Sequence, residues 1–215
     1  LSNHHLAQQK ARRCGRDLGH HDPRGRSHQR RAQQLRIAGH GAHFLNWRAR
    51  PHRGAHAAGG ASRGVIGPLL QRSPKCLVIA NRSAAKADEL VKLFADLAVR
   101  NEVSLESRTL ADLESAQKTP HAFDLVINAT AAGLTDESPL SDSAVMQVFK
   151  PGSFAYDMVY GKTTAFMKQA LQRGARISDG LGMLVEQAAD AFLIWRGAEL
   201  ATKIDPRAVL AKLRS

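Results

Sequence analysis

Cys76-Leu77-Val78-Ile79-Ala80, closing on Asn81-Arg82-Ser83, is the stretch that sets the fold. Five apolar residues in succession, with no alternation, describe a strand buried on both faces, as parallel strands are. Behind it, residues 84–98 carry Ala87, Leu90, Val91, Phe94 and Leu97 on one helical stripe, with Lys86, Asp88 and Lys92 outside it. Ahead of it, Gly59-Gly60-Ala61-Ser62-Arg63-Gly64 opens an apolar-periodic segment through Val65-Ile66-Gly67-Pro68-Leu69-Leu70. Further on, Phe123–Asn128 and Ser153–Met158 read as strands, and a helix follows near 163–173. Strands alternating with helices imply a parallel sheet covered by helices on both faces.

In such a sheet, ligands gather outside the carboxyl ends of the strands. Polar residues stand at those predicted ends: Asn81-Arg82-Ser83 after one strand, Asn128-Ala129-Thr130 after another. A glycine-rich turn entering a helix brings backbone amides up to a pyrophosphate at the helix's positive end. Arg82 lies about twenty residues beyond that turn. An acid at this distance holds the ribose hydroxyls of NAD, whereas an arginine accommodates the 2′-phosphate of NADP. Ser83 and Lys86 add donors beside it; a solvated loop and helix start explains the same residues equally well. Another helix is expected after Ser178-Asp179, either of which suits an N-cap. Its predicted buried stripe is Leu181, Leu184, Val185, Ala188, Phe192 and Trp195. Gly180, Met183 and Gln187 share a second face, suited to a flat ring and a polar ligand, although ordinary helix packing also accounts for it.

The chain has 215 residues and a formal charge of +12, which by itself points to a nucleic-acid or anionic-surface binder. The charge is uneven. Residues 1–60 hold 12 Lys/Arg against 2 Asp, and nine of the ten histidines; residues 61–215 hold 19 Lys/Arg against 17 Asp/Glu. The first sixty residues contain no Val, Glu, Thr, Met or Tyr, and Ile37 is their one β-branched residue. They have too little apolar matter for a core, and no period of 2 or 3.6 persists. As a nucleic-acid arm this stretch is poor in stacking aromatics, with Phe44 and Trp47 alone. As a metal site it offers only the adjacent pairs His4-His5 and His20-His21, which share no face, so no metal is expected. A shifted reading frame is the third account. Gly54-Ala55-His56-Ala57 is encoded by GGN GCN CAY GCN, and one base later the same bases can spell Val-Leu-Met-Leu, a buried strand running into the glycine turn.

No apolar run approaches the ~20 residues of a membrane-spanning helix. No signal-peptide pattern opens the chain, and its start at Leu1 reads as a missing upstream portion. Two cysteines, Cys14 and Cys76, are too few for a disulfide framework, so a reduced, cytoplasmic setting is expected.

Taken together, these segments resemble the C-terminal half of shikimate dehydrogenase, the NADP enzyme of aromatic (chorismate) biosynthesis. The resemblance rests on Gly59–Gly64, Asn81-Arg82-Ser83 with Lys86, Ile127-Asn128-Ala129-Thr130, Tyr156-Asp157-Met158-Val159-Tyr160 and Asp179–Val185 with Gln187. It implies an α/β, Rossmann-like doubly wound parallel sheet with a damaged first strand. Residues 58–215 would form the NADP-binding domain, and residues 1–57 an irregular basic segment in place of the substrate domain. It also implies roles. Gly59, Gly60 and Ala61 would underlie the pyrophosphate. Asn81, Arg82, Ser83 and Lys86 would surround the adenosine phosphate. Thr130, Met158, Gly180 and Met183 would line the nicotinamide, and Tyr160 and Gln187 would reach shikimate. The implied reaction is reversible hydride transfer between NADPH and the C3 carbonyl of 3-dehydroshikimate. The family's catalytic lysine and aspartate belong to Asn-Val-Thr-type and Asn-Thr-Asp-type segments, and neither occurs here. The first glycine of the phosphate fingerprint falls at Ala57, and Arg53-Gly54-Ala55-His56 stands where its strand belongs. Tyr160 is followed by Gly161-Lys162-Thr163-Thr164, where the family more often has a proline nearby. The chain is therefore expected to be catalytically inactive as it stands. Alternatives are a quinate/shikimate dehydrogenase relative and a non-catalytic NADP-binding module, with a basic nucleic-acid binder behind them. Homo-oligomerisation is left open.

Overall fold

The computed structural model describes residues 60–119, 121–197 and 204–215. The expectations placed on residues 1–59, including Gly59 and the basic segment, lie outside the described residues.

Helix α1 (Gly60–Leu70) leads through a short turn into β1 (Cys76–Asn81), and helix α2 (Ala84–Arg100) follows. Strand β2 (Ser104–Thr109) pairs parallel to β1, with Val78 opposite Glu106. The apolar stripe of α2 behaves as its spacing requires. Ala87 and Leu90 are buried with Ile66, Leu70 and Ile79, and Val91, Phe94 and Leu97 pack around them. Helices α1 and α2 lie side by side: Gly67 packs against the Phe94 ring, and the Arg63 guanidinium donates to Glu89 at 2.8 Å. Cys76 is disulfide-bonded in this structure.

A 3-10 turn (Ala111–Glu114) carries the chain to a second sheet. Strand β3 (Leu125–Asn128) pairs parallel with β4 (Phe154–Asp157), which pairs parallel with β5 (Arg176–Ser178). Helices α3 (Asp142–Val148) and α4 (Ala165–Gln172) supply the cover. Their core gathers Val148, Phe149, Ala155, Phe166, Met167 and Ala170, all at most 2% exposed. The Phe149 and Phe166 rings meet with centroids 5.7 Å apart. Helix α5 (Leu181–Arg196) and the C-terminal α6 (Pro206–Arg214) complete the described chain.

The architecture is the parallel α/β sheet that the sequence led us to expect, with one break. Among the described residues the five strands make two separate sheets, of order β1-β2 and β3-β4-β5. Two further expectations are corrected. Helix α5 is capped by Gly180 rather than by Ser178 or Asp179, because the chain turns there on a close approach to Met158. Its proposed buried stripe also fails toward the C-terminus. Val185 is buried, but Ala188 is exposed and Trp195 is 79% exposed. Helical spacing specifies a face, and nothing among the described residues covers this end of it.

Candidate functional site

The carboxyl ends of the strands carry two groups of the predicted site residues. The first lies after β1. The Asn81 carboxamide oxygen accepts from the Ser83 amide at 3.0 Å, so the asparagine shapes the turn that starts α2. Arg82 and Lys86 are exposed around that turn. Ser83 is the N-cap of α2, yet its side chain makes no capping bond, and the helix has no acid in its first turn. Three other helices behave differently. Ser141 caps α3, Thr164 caps α4 and Asp205 caps α6, each by its side chain. The first-turn amides and hydroxyl of α2, flanked by two cations, are therefore left as donors for an anion. Gly60 opens α1, again with no acid in the first turn, and Ala61 is exposed beside it. These features fit the phosphates of a dinucleotide.

The second group is held by a buried hydrogen-bond network at the ends of β3 and β4. Asp157, fully buried, accepts from the Thr164 hydroxyl at 2.6 Å and the Asn128 amide at 3.1 Å on one oxygen, and from the Val159 amide at 3.0 Å on the other. The Asn128 carboxamide oxygen accepts from both the amide and the hydroxyl of Thr130. Its backbone carbonyl takes the Met158 amide at 3.0 Å. Gly180 then closes on the same strand end, donating to the Val159 carbonyl at 3.1 Å. A Cβ on Gly180 would stand 2.2 Å from the Met158 carbonyl oxygen, so only glycine fits. Thr130, Met158 and Gly180 are thereby brought together, and Met183 sits half-buried one turn into α5. Tyr160 is 50% exposed and Gln187 is exposed, so both are accessible to a ligand.

Asp157 and Thr164 carry the network, yet the sequence reading gave neither a role. A carboxylate closing a four-residue strand after Phe154, Ala155 and Tyr156 is the signal that marked Asp157. Asp179 is a second such organiser, accepting from the Gly161 and Leu181 amides and from the Arg214 guanidinium at 3.2 Å. Beside it, burial and then the Asp179 charge push the Tyr156 hydroxyl up to about 12. Lys162, Thr163, Met167, Ile177, Ser178, Asp179 and Arg214 line a recess of about 360 Å³ there. No cluster of three potential metal ligands occurs among the described residues, and no helix among them is long and apolar enough to cross a membrane.

Comparison with known proteins sharpens this picture. No family model matches the chain. A protein of Dechloromonas aromatica named shikimate dehydrogenase (NADP(+)) is 51% identical over 161 residues, covering 74% of this chain and 52% of that relative. A solved shikimate dehydrogenase from Aquifex aeolicus superposes with a TM-score of 0.53 at 28% identity, over 73% of this chain and 50% of that one. A shikimate dehydrogenase solved in complex with NADP+ gives the same TM-score and identity, over 73% and 52%. The chain spans about half the length of the relatives it matches. The Rossmann-like reading of the fold agrees with these neighbours.

Proposed function

Since this chain is a relative of the NADP-dependent shikimate dehydrogenases over half of their length, we propose that residues 58–215 are a cofactor domain of that kind and bind NADPH. The observation that carries the reading is the uncapped start of α2, where Ser83 and the first-turn amides stand between Arg82 and Lys86 at the end of a parallel strand. In this reading Asn81, Arg82, Ser83 and Lys86 hold the 2′-phosphate, and Gly59, Gly60 and Ala61 face the pyrophosphate. Thr130, Met158, Gly180 and Met183 flank the nicotinamide, and Tyr160 and Gln187 reach toward shikimate. The bound cofactor would supply a hydride to the C3 carbonyl of 3-dehydroshikimate. The residues of this chain orient it, with Asp157 fixing the loop that carries Met158 and Tyr160.

Residues 1–57 stand where a substrate domain belongs, and they lack the segments that bring the lysine and aspartate for proton transfer. We therefore propose a nucleotide-binding chain with little or no dehydrogenase activity, since losing positioned acid–base groups costs ~10²–10⁴ in rate. The setting we propose is the cytoplasm. The quinate-type alternative is not better supported than this reading.

Titration of the full chain with NADPH and NADH, followed by nicotinamide fluorescence, tests this. NADPH should bind more tightly, and Arg82→Ala should weaken it roughly tenfold while leaving NADH unchanged. Absence of NADPH binding overturns the proposal, and turnover of 3-dehydroshikimate at an ordinary enzyme rate overturns its second half.

A further inference from the structure

The buried network at the ends of β3 and β4 has a direction as well as a shape. Among the described residues, each hydrogen bond to Asp157 comes from a donor: the Thr164 hydroxyl, the Asn128 side-chain amide and the Val159 backbone amide. That is the partner set of an ionised carboxylate. Because a carboxylate only accepts, it also fixes the bonds beyond it. Asn128 must turn its NH2 toward Asp157 and its oxygen outward. That oxygen takes the Thr130 amide at 3.0 Å and the Thr130 hydroxyl at 2.8 Å. The Thr130 proton is thereby committed, and its oxygen keeps only lone pairs, one of which takes the Ala132 amide at 3.3 Å. From Thr130 to Asp157, each N–H or O–H points inward and each negative end looks outward.

The charge at the root of this chain of bonds has no counter-ion beside it. None of the ion pairs among the described residues includes Asp157. The nearby carboxylate of Asp179 differs, with Arg214 3.2 Å away. Asp157 and Thr164 are both 0% exposed. Gly133 closes over them so tightly that a Cβ there would stand 3.4 Å from the Asp157 carboxylate and 3.1 Å from the Thr164 methyl. Hydrogen bonds spread a charge without cancelling it, and away from water its field is weakly screened. The inference drawn from this rests on the reading in which Thr130, Met158 and Gly180 flank the nicotinamide. The oxidised ring is a cation and the reduced ring is neutral, while the two are close in shape, so a fixed negative end tells them apart. We propose that Asp157, through Asn128 and Thr130, makes this site select NADP+ over NADPH by charge, beyond its part in holding the loop. By linkage, a site biased in this way makes the bound reduced cofactor the stronger hydride donor.

The test is calorimetric titration of the full chain with NADP+, with NADPH and with 2′-phospho-ADP-ribose, which lacks the ring. Asp157→Asn should weaken NADP+ roughly fivefold and shift NADPH and the ring-free nucleotide by less than about twofold. Thr164→Val removes one bond to Asp157 but keeps its charge, so it should move NADP+ and NADPH by the same factor. Thr130→Val, at an exposed position, removes the oriented oxygen and should lower the preference for NADP+ in the same direction as Asp157→Asn. An unchanged ratio of the two affinities in Asp157→Asn overturns the proposal. So does a Thr164→Val variant that shifts the ratio as far as Asp157→Asn does. Should Asp157→Asn fail to fold, Thr130→Val decides, and an unchanged ratio there overturns the proposal. If no nucleotide binds the unaltered chain, the cofactor reading fails and takes this inference with it. If both forms bind and the ratio stays fixed across the variants, this inference alone fails.

Discussion

The half built on β3, β4 and β5 and the half built on β1 and β2 share parallel strands and helical cover but hold themselves together differently. In the first, strand ends are tied by buried polar groups. Asn128, Ser153, Asp157 and Thr164 are all at most 3% exposed, and Ser153 donates to the Phe123 carbonyl at 2.7 Å. In the second, the core rests on apolar contacts among α1, α2 and β1, and the buried polar residue tied to it is Thr119, whose hydroxyl accepts from Arg108 of β2 at 3.2 Å. Hydrophobic burial is non-directional, whereas satisfied buried hydrogen bonds select one arrangement. The strand ends around Asp157 are thus rigidly specified, while the turn carrying Arg82 rides on a half whose sheet, among the described residues, has two strands.

The largest effect should separate the halves by where it is felt. Phe166→Ala removes a side chain 1% exposed and in contact with Phe149. A loss of about 4 kcal/mol is expected, seen as a fall in the urea midpoint and as faster exchange of the β3, β4 and β5 amides, with those of β1 and β2 unchanged. Asp157→Ala should cost about 3 kcal/mol, because Thr164, Asn128 and Val159 each lose their acceptor. Asp157→Asn, which keeps oxygen as one of its two polar atoms, should cost less by the same denaturation. Leu70→Ala, on the other side of the comparison, should cost about 2 kcal/mol. Its effect should stay within α1, α2, β1 and β2, with exchange of the β4 amides unchanged. If β4 loosens equally, the halves are one cooperative unit and the comparison fails.

The smallest effect is one of pH. Folding raises the Tyr156 hydroxyl from 10.0 to about 12. The neutral form is therefore favoured in the folded chain, and its contribution is complete below pH 10 and lost as pH rises toward 12. Alkaline melting curves should show that decline, and Tyr156→Phe should flatten it.

What the sequence made legible follows the strength of each local signal. The run Cys76–Ala80 and the stripe of α2 were plain because burial on two faces, or on one helical face, leaves a pattern that little else produces. Strand β2, with Leu105 as its one strongly apolar residue, and the three-residue β5 left almost none, since outer strands need only one buried face. Helix α6 has no buried residue at all, and Pro206 at its start and the Asp205 cap were the only cues. At the site, Arg82 and Gly180 stood out by type and spacing. The bonding of Asp157 to Thr164, seven residues away across a loop, depends on how that loop folds, and a linear pattern does not carry it.

The exposed end of α5 has a practical optical consequence. Leu193, Ile194 and Trp195 stand 41%, 79% and 79% exposed in succession. An indole in that position emits as it does in water, at long wavelength and open to collisional quenchers such as iodide. With Trp47, the chain's other indole, replaced by Phe, Trp195 is thus a built-in dye on one identifiable surface. Any macromolecule that settles over that end of the helix should shift its emission to the blue and shield it from the quencher, with no label attached.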